Sequence, residues 1–251
     1  MWCADCIRSS SDRAERVTPM KIAIVGNGRM GKAVAALGAQ RGHSIHTVVG
    51  SSDNAGGRAL TRERLAGTDV AIEFTRPDAA VSNLERLIEL GIPTVTGTTG
   101  WTAALPRITD LVHVRKGALL HAANFSVGVH LFLRTARELA RAFSARPEFV
   151  ASIREEHHAG KLDSPSGTAL LLQRRLAESD AARSFPISSV RLGTVPGTHT
   201  LNYEGPHETV SLSHLARDRE AFAAGALAAA EWLPGKTGVF TFEHLLFGET
   251  A

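Results

Sequence analysis

The feature that most constrains the fold is a glycine-rich loop between a strand pattern and a helical pattern. Residues 21–25 read Lys-Ile-Ala-Ile-Val, an apolar run typical of a buried parallel strand. Gly26-Asn27-Gly28-Arg29-Met30-Gly31 follows at once, and then a helical pattern runs from Lys32 to Arg41. Such glycines permit a tight turn, close backbone approach to a pyrophosphate, and packing of helix on strand. The context favours a dinucleotide-binding βαβ unit over a glycine-rich turn without a ligand.

Strand and helix patterns alternate along the first half of the chain. A helical pattern runs from Pro77 to Leu90, and Gly91 closes it. The further strand patterns cover residues 43–49, 69–74, 93–95 and 118–123. Strands that alternate with helices predict a parallel sheet with right-handed crossovers. We therefore expect a Rossmann-type parallel sheet domain over residues 20–125.

The pattern changes after Asn124. Helical patterns cover residues 127–143 and 166–178, and a strand pattern covers residues 148–157. From Ile187 to Leu215 the residues follow a period of two, which indicates a half-exposed antiparallel sheet. The predicted fold class is thus α/β, with a smaller α+β domain and a mixed or antiparallel sheet over residues 126–215. The remaining residues, 216–251, include an alanine-rich helical pattern.

The charge balance and hydropathy exclude several classes of partner. Lys and Arg number 28 against 25 Asp and Glu, a net charge of +3. Because no long basic run exists, nucleic acid is not an expected partner, whereas a slight positive balance suits an anionic substrate. No apolar stretch is long enough to span a bilayer, so we expect no membrane partner and a cytoplasmic location.

The first nineteen residues are polar and lack the apolar core of a signal peptide. We interpret residues 1–19 as a disordered leader, because Met20 begins a clean strand pattern. Cys3 and Cys6 have a spacing that fits half a zinc site, but no second pair of ligands at metal spacing completes it. The sequence therefore predicts no metal.

Two further segments stand at the ends of predicted strands, where ligands bind in open α/β sheets. They are Gly97-Thr98-Thr99-Gly100 and Ala122-Ala123-Asn124-Phe125. Small residues there can approach a nicotinamide or a ribose, although the first tetrapeptide alone is also typical of a plain turn. The place of the acid that usually binds the ribose 2′-hydroxyl is taken by Gly50-Ser51-Ser52. Either this neutral loop accepts both NADH and NADPH, or Asp53 performs the acid's task from further along the chain.

The densest group of chemically active residues lies between Glu155 and Ala169. Histidine is a natural acid near neutral pH, a lysine can stabilise developing negative charge, and the amides at a helix start can bind a carboxylate. The candidates are His157, His158, Lys161, Ser166, Gly167 and Thr168. Other interpretations stay open at this point: a histidine pair can bind metal, and a serine at a helix start can be only an N-cap. Arg191, Gly193, Gly197 and His199 are more typical of sheet turns and surface contacts than of catalytic groups.

These motifs together resemble those of the dihydrodipicolinate reductase family. The shared motifs are the glycine loop with Arg-Met-Gly, Gly-Thr-Thr-Gly, Ala-Asn-Phe-Ser-Val-Gly and His-His-x-x-Lys-x-Asp-x-Pro-Ser-Gly-Thr-Ala. The last is highly specific, whereas the glycine loop is not. The resemblance extends from about Met20 to about Phe247.

The resemblance implies NAD(P)H-dependent reduction of 4-hydroxy-tetrahydrodipicolinate, a small dicarboxylated imine, in lysine biosynthesis. It implies that His157 donates the proton, that Lys161 assists, and that His158, Lys161, Gly167 and Thr168 bind substrate. Residues 26–31, 97–99 and 122–125 would contact the cofactor. It also implies a homotetramer joined through the sheets of residues 126–215, and the return of residues 216–251 to the dinucleotide-binding domain.

Two other functions compete with this one. The first is a two-domain reductase or dehydrogenase that acts on a different small acid, which leaves the segment from His157 to Thr168 without an obvious explanation. The second is a nicotinamide-sensing regulator, which would need a DNA-binding or partner surface, and neither a helix-turn-helix pattern nor a basic stripe is present. Turnover separates the enzyme from the sensor, and a substrate screen separates the two enzymes.

Overall fold

The computed structural model describes residues 18–248. Residues 1–17 lie outside the described residues, and with them most of the predicted leader and the half zinc site at Cys3 and Cys6. Within residues 18–248 no helix is both long and apolar enough to cross a membrane. The chain divides into two compact units, one containing residues up to Ala123 and from Ala226 onward, the other Asn124–Gly225. The sequence placed these divisions at residues 125/126 and 215/216.

The first unit contains a six-stranded sheet in which every neighbouring pair is parallel. Its strands are β1 (Lys21–Val25), β2 (Ser44–Val49), β3 (Val70–Glu73), β4 (Thr94–Thr96), β5 (Ala118–His121) and β10 (Gly238–Thr241), in the order β10-β5-β4-β3-β1-β2. Its helices are α1 (Arg29–Gln40), α2 (Pro77–Glu89), α3 (Leu105–Arg115) and α7 (Phe242–Phe247). The predicted Rossmann-type fold is confirmed.

The central strands are apolar on both faces because helices cover both sides of a parallel sheet. Residues 22–25 of β1 and 70–72 of β3 are fully buried. Leu87 of α2 packs with Ala23 and Val25, whereas Leu84 of the same helix packs with Leu119. This covering fixes the carboxyl ends of the strands, where the glycine loop begins.

The second unit contains a mixed four-stranded sheet. Its strands are β6 (Val150–His157), β7 (Ile187–Arg191), β8 (Thr198–Glu204) and β9 (Thr209–Leu215), in the order β7-β6-β8-β9. The pair β6–β7 is parallel, and the pairs β6–β8 and β8–β9 are antiparallel. Helices α4 (Val127–Phe143) and α5 (Gly167–Ser179) pack on one face of the sheet. Helix α6 (Glu220–Trp232) begins in this unit and continues, from Ala226 onward, in the first unit.

Helix α4 has the bounds that its periodicity predicts, because Val129, Phe132, Leu133, Ala136 and Ala140 form one buried stripe. Other elements differ from expectation. Helix α1 begins at Arg29 instead of Lys32, since Gly28 is already the N-cap. Helix α3 had no predicted counterpart, and periodicity did not show that the strand near Val239 joins the first sheet beside β5.

Candidate functional site

The glycine loop links β1 to α1 through two close backbone contacts. Gly26 has φ +110°, and a Cβ there would lie 2.0 Å from the Phe74 carbonyl oxygen. A Cβ on Gly31 would lie 1.8 Å from the Gly26 carbonyl oxygen, so the helix packs directly on the loop. Gly28 differs, because a Cβ there would meet nothing within 4 Å. As the N-cap of α1 it has no side chain to bond the first amides, so they remain available to a phosphate.

A cleft of about 640 Å³ opens beside this loop. Its walls are Gly26–Gly28, the end of β2 with Ser51 and Ser52, the segment 74–76 after β3, and the first turns of α2. The volume lies within the usual range for ligand pockets of about 300–1,000 Å³. Of the six residues of the glycine loop, Gly26, Asn27 and Gly28 line the cleft. Arg29, Met30 and Gly31 do not line it and form the first turn of α1.

The acid that the sequence offered for the ribose, Asp53, is held by an arginine. The Asp53 carboxylate lies 2.7 Å from Arg64 Nη1, and Arg64 also donates to the Thr47 hydroxyl and the Val48 carbonyl oxygen. The hydrogen bond from Arg64 holds the pKa of Asp53 below its usual value. Ser51 and Ser52 line the cleft but Asp53 does not. The loop thus offers the cleft two hydroxyls without a carboxylate.

Sequence reasoning missed Glu73, a fully buried carboxylate at the end of β3. It accepts hydrogen bonds from the hydroxyls of Thr75, Thr96 and Thr98. The Thr98 hydroxyl also accepts from the Thr75 amide at 2.8 Å. Thr98 is therefore committed to holding the turn that follows β4, whereas Thr99 is exposed. The signal that could have identified Glu73 is an acidic residue at the end of an otherwise apolar strand.

The Gly97 turn lies directly against an aromatic ring. A Cβ on Gly97 would lie 2.0 Å from Phe74 Cε1. At the end of β5, Ala122 donates its amide to the Thr96 carbonyl oxygen at 3.1 Å, and Ala123 is exposed. In the second unit the Asn124 side chain accepts from the Ser126 amide, and Phe125 is 2% exposed, so its ring belongs to the packing.

The second cluster is built on β6, whose alternation buries Ala151, Ile153, Glu155 and His157 on one face. The first two pack in the apolar core against α4 and α5. The last two continue the same buried face with polar groups, so the core ends in a carboxylate and an imidazole. The period-two register of the strand fixes which side chains enter this cluster.

Glu155 is fully buried and receives several donors. The Ser166 amide donates to its two oxygens at 3.0 and 3.1 Å, and Arg191 Nη2 donates to Oε1 at 2.9 Å. Burial acts to raise its pKa, but hydrogen bonds from Ser166, Ser189 and Arg191 prevail and lower the pKa of Glu155 to about 2. The carboxylate is therefore ionised at neutral pH.

His157 is 7% exposed and its Nδ1 lies 3.4 Å from Glu155 Oε2. Burial lowers the pKa of His157, the Glu155 charge opposes this, and the Lys161 and Arg191 charges add to the lowering. Gly197 lies against the opposite side of the ring, since a Cβ there would be 3.1 Å from His157 Nε2. His158 is only half-buried and lies beyond the end of β6, so the two histidines have different surroundings.

Lys161 lies in the loop between β6 and α5. Its Nζ is 2.7 Å from Asp163 Oδ1, and its side chain is 22% exposed. The carboxylate orients the ammonium group, and the pair is open enough to solvent that Lys161 can change partner.

The amino end of α5 contains two kinds of residue. Ser166 is the N-cap: its hydroxyl accepts from the Ala169 amide at 3.2 Å and lies 3.1 Å from His199 Nε2. Its own amide is bonded to Glu155. Gly167 is exposed and Thr168 is half-buried, and helix geometry leaves their amides without an intrahelical acceptor. These two amides can bind an anion, whereas Ser166 holds the helix start in place.

The expectation that Arg191 and His199 are surface contacts is wrong. His199 is 5% exposed, and burial, with the charge of His157, lowers its pKa to about 4. Antiparallel pairing sets His199 opposite Glu155, and parallel pairing sets Arg191 opposite His157. Sequence spacing could not show either pairing, because Glu155 and His199 are 44 residues apart and His157 and Arg191 are 34 residues apart.

The ligand atoms of Glu155, His157 and His199 lie within 4.8 Å of one another, a separation compatible with a metal site. However, the carboxylate already accepts from Arg191 and from the Ser166 amide. A second cation beside the guanidinium would be repelled. We therefore interpret the cluster as a buried carboxylate with its hydrogen-bond donors, and not as a metal site.

Comparison with known proteins assigns the chain to a family. Residues 20–125 match the family model of the dihydrodipicolinate reductase N-terminus, and residues 128–246 match that of its C-terminus. A 4-hydroxy-tetrahydrodipicolinate reductase of Christiangramia forsetii is 35% identical over 90% of this chain and 98% of its own. The protein of the same name from Caulobacter vibrioides is 37% identical over 91% and 97%, respectively.

A solved structure has the same fold. Dipicolinate-bound dihydrodipicolinate reductase from Paenisporosarcina sp. TG-14 superposes with a TM-score of 0.72 at 22% identity, covering 89% of this chain and 98% of that one. The resemblance seen in the motifs is thus confirmed along nearly the whole chain. The chain belongs to the dihydrodipicolinate reductase family and is a nicotinamide-dependent oxidoreductase.

Proposed function

We propose that this protein reduces 4-hydroxy-tetrahydrodipicolinate to tetrahydrodipicolinate with NADH or NADPH, in the diaminopimelate route to lysine. The observation that carries the proposal is the cluster of His157 and Lys161 beside the open amino end of α5, in a chain that matches the family over both halves. In the balanced reaction, substrate, NAD(P)H and one proton give tetrahydrodipicolinate, NAD(P)⁺ and water.

The first unit fits a dinucleotide. We assign the pyrophosphate to the amides after Gly28, because no side chain caps them and no atom fills the space beside that Cα. From the family motifs we assign further residues to the cofactor site: Arg29, Met30, Gly31, Gly97, Thr98, Thr99, Ala122, Ala123, Asn124 and Phe125. For several of these the role is support: Gly31 and Phe125 are buried in the packing, and Thr98 holds its turn. The cofactor supplies the hydride.

The second unit fits a dicarboxylate. We assign one substrate carboxylate to the amides of Gly167 and Thr168, where the positive end of the helix dipole also favours an anion. Ser166 supports this binding from its position as N-cap. His158 and Lys161 provide further donors for the polar groups of the substrate. Lys161 can leave Asp163 for a substrate group, because their contact is open to solvent.

His157 is the proposed proton donor. Water is lost from the 4-hydroxy imine, hydride is delivered to ring C4, and the neighbouring carbon takes a proton. Burial lowers the pKa of His157, so its protonated ring gives up the proton more readily than an exposed imidazole does. Lys161, as a cation beside the ring nitrogen, would stabilise the electron density that hydride addition builds there.

We also propose a cytoplasmic homotetramer. The family resemblance supports the assembly, and the sheet face turned away from α4 and α5 is the proposed interface; on it Thr200 bonds Ser213 at 2.9 Å, and Ser211 bonds Asn202 at 2.8 Å. Light scattering of the purified protein tests the assembly, and a monomer at micromolar concentration would contradict it. Replacing Ser211 by Arg should weaken the tetramer without changing the fold.

The activity is tested with freshly generated hydroxy-tetrahydrodipicolinate. Oxidation of NADH and of NADPH is followed by absorbance, with reactions lacking substrate as controls. We expect substrate-dependent oxidation and formation of tetrahydrodipicolinate. If cofactor binds but this substrate is not reduced, while another small acid is, then the enzyme is a different reductase. If cofactor binds and no small acid is reduced, the sensor alternative is favoured.

A further inference from the structure

Glu155 lies between the two groups to which we assign the substrate chemistry. Its side chain is fully buried, two residues before His157 and on the same face of β6. A buried carboxylate is costly unless donors compensate its charge. Here compensation comes from Arg191 and from the amide that precedes the first residue of α5. Such an arrangement joins three separate segments through one side chain.

The two carboxylate oxygens have different neighbours. Oε1 accepts from Arg191 Nη2 at 2.9 Å, and the same nitrogen donates to the Asp163 carbonyl oxygen at 2.6 Å. Oε2 lies 3.1 Å from the Ser166 amide, 3.4 Å from His157 Nδ1 and 3.8 Å from His199 Nε2. One side of the carboxylate therefore fixes the loop that contains Lys161, and the other faces both buried imidazoles.

We propose that Glu155, with Arg191 as its counter-ion, is a positioning residue that holds the His157 ring and the amino end of α5 in their working arrangement. The inference rests on the proposed function, because it assumes that His157 donates a proton and that α5 binds a carboxylate. His157 Nδ1 is buried and has no hydrogen-bond partner among the residues that the structure describes. Small movements would bring Nδ1 and Oε2 into hydrogen-bond contact when the ring is protonated.

The charges around His157 determine the sign of the effect. The titratable and charged groups that face the ring are Glu155 on β6, Lys161 and Asp163 on the loop, Arg191 on β7 and His199 on β8. Glu155 and Asp163 raise the pKa of His157, whereas Lys161 and Arg191 lower it. Removing the Glu155 charge should therefore lower the pKa of His157 and move the alkaline limb of the rate profile to lower pH.

The test compares Glu155→Gln with Glu156→Gln. Both changes remove one negative charge from β6, but Glu156 lies on the other face and pairs with Arg154. For Glu155→Gln we expect kcat to fall by about tenfold or more, KM to rise, and the alkaline limb of kcat/KM to move down by about one pH unit. For Glu156→Gln we expect kcat, KM and the alkaline limb of kcat/KM to equal those of wild type. A readout without substrate is the pKa of His157 from NMR titration of the imidazole, which should move in the same direction.

If Glu155 had a purely structural role, Glu155→Gln would lower the melting temperature but leave KM and the alkaline limb of kcat/KM unchanged. That result would overturn the proposal. If Glu155→Gln does not fold, Arg191→Lys decides, because it keeps a cation on β7 but its ammonium group ends one bond short of Nη2, the atom that donates to both Glu155 and Asp163. We expect a higher KM with little change in the limb, and wild-type kinetics would refute the proposal. If wild-type protein does not reduce the substrate, the proposed function fails, and the NMR titration still tests the effect of Glu155 on His157.

Discussion

A pair of glycine substitutions separates the folding role of the glycine loop from its role in cofactor binding. In Gly31→Ala the new Cβ would lie 1.8 Å from the Gly26 carbonyl oxygen, against 3.4 Å for ordinary contact, so backbone must move by about 1.6 Å. Overpacking of this kind costs about 1–3 kcal/mol or more. At about 2–4 °C per kcal/mol for a chain of this size, a cost of about 3 kcal/mol lowers the melting temperature by roughly 6–12 °C.

Gly28→Ala is the matched variant. Its backbone is extended at φ −81° and ψ −168°, and a Cβ would meet nothing within 4 Å. The melting temperature should therefore stay within about 2 °C of wild type. The added methyl group would stand where the backbone approaches the pyrophosphate, so the Kd for NADH should rise by about tenfold or more.

Differential scanning fluorimetry without cofactor gives the melting temperatures, and fluorescence titration with NADH gives the Kd. The reasoning requires opposite outcomes for the two variants: loss of stability for Gly31→Ala, and loss of affinity without loss of stability for Gly28→Ala. A Gly31→Ala protein that melts with wild type would refute the packing argument. A Gly28→Ala protein with unchanged affinity would refute the assignment of the pyrophosphate to the first turn of α1.

Three further predictions concern the proposed catalytic pair, the choice of cofactor and residues 1–19. His157→Ala and Lys161→Ala should each lower kcat by about 100-fold or more with little change in melting temperature, and near-normal turnover in a folded variant would remove the role given to that residue. The enzyme should accept both NADH and NADPH, since Asp53 is paired with Arg64 outside the cleft; a preference for NADH above about 100-fold, relieved in Asp53→Ala, would contradict this. Deleting residues 1–19 should leave activity and melting temperature essentially unchanged, and a large drop in melting temperature would show that the leader packs on the body of the protein.

Local sequence patterns were sufficient to predict an element where its structure depends mainly on its own residues. The apolar stripe of α4 gave its bounds, because a buried helix repeats every 3.6 residues whatever it packs against. The strand–glycine–helix order gave the dinucleotide-binding unit, since the loop conformation depends on the glycines themselves. The segment from His157 to Thr168 was recognised for the same reason: its chemistry is contiguous in the chain, and Ser166 begins a helix by itself.

Long-range pairing was decided only by the tertiary structure. Sequence identified His157 of β6 as a candidate but gave no role to Glu155 on the same face. Strand register brings Arg191 and His199 to these two residues, and no local spacing encodes register between distant strands. Likewise, Asp53 could have occupied the ribose position, and its pairing with Arg64 was visible only in three dimensions. The sequence by itself determined the two folding patterns and the candidate residues that lie close together along the chain. Which charges compensate one another was decided by tertiary structure, because electrostatic energy depends on distance in space and not on separation along the chain.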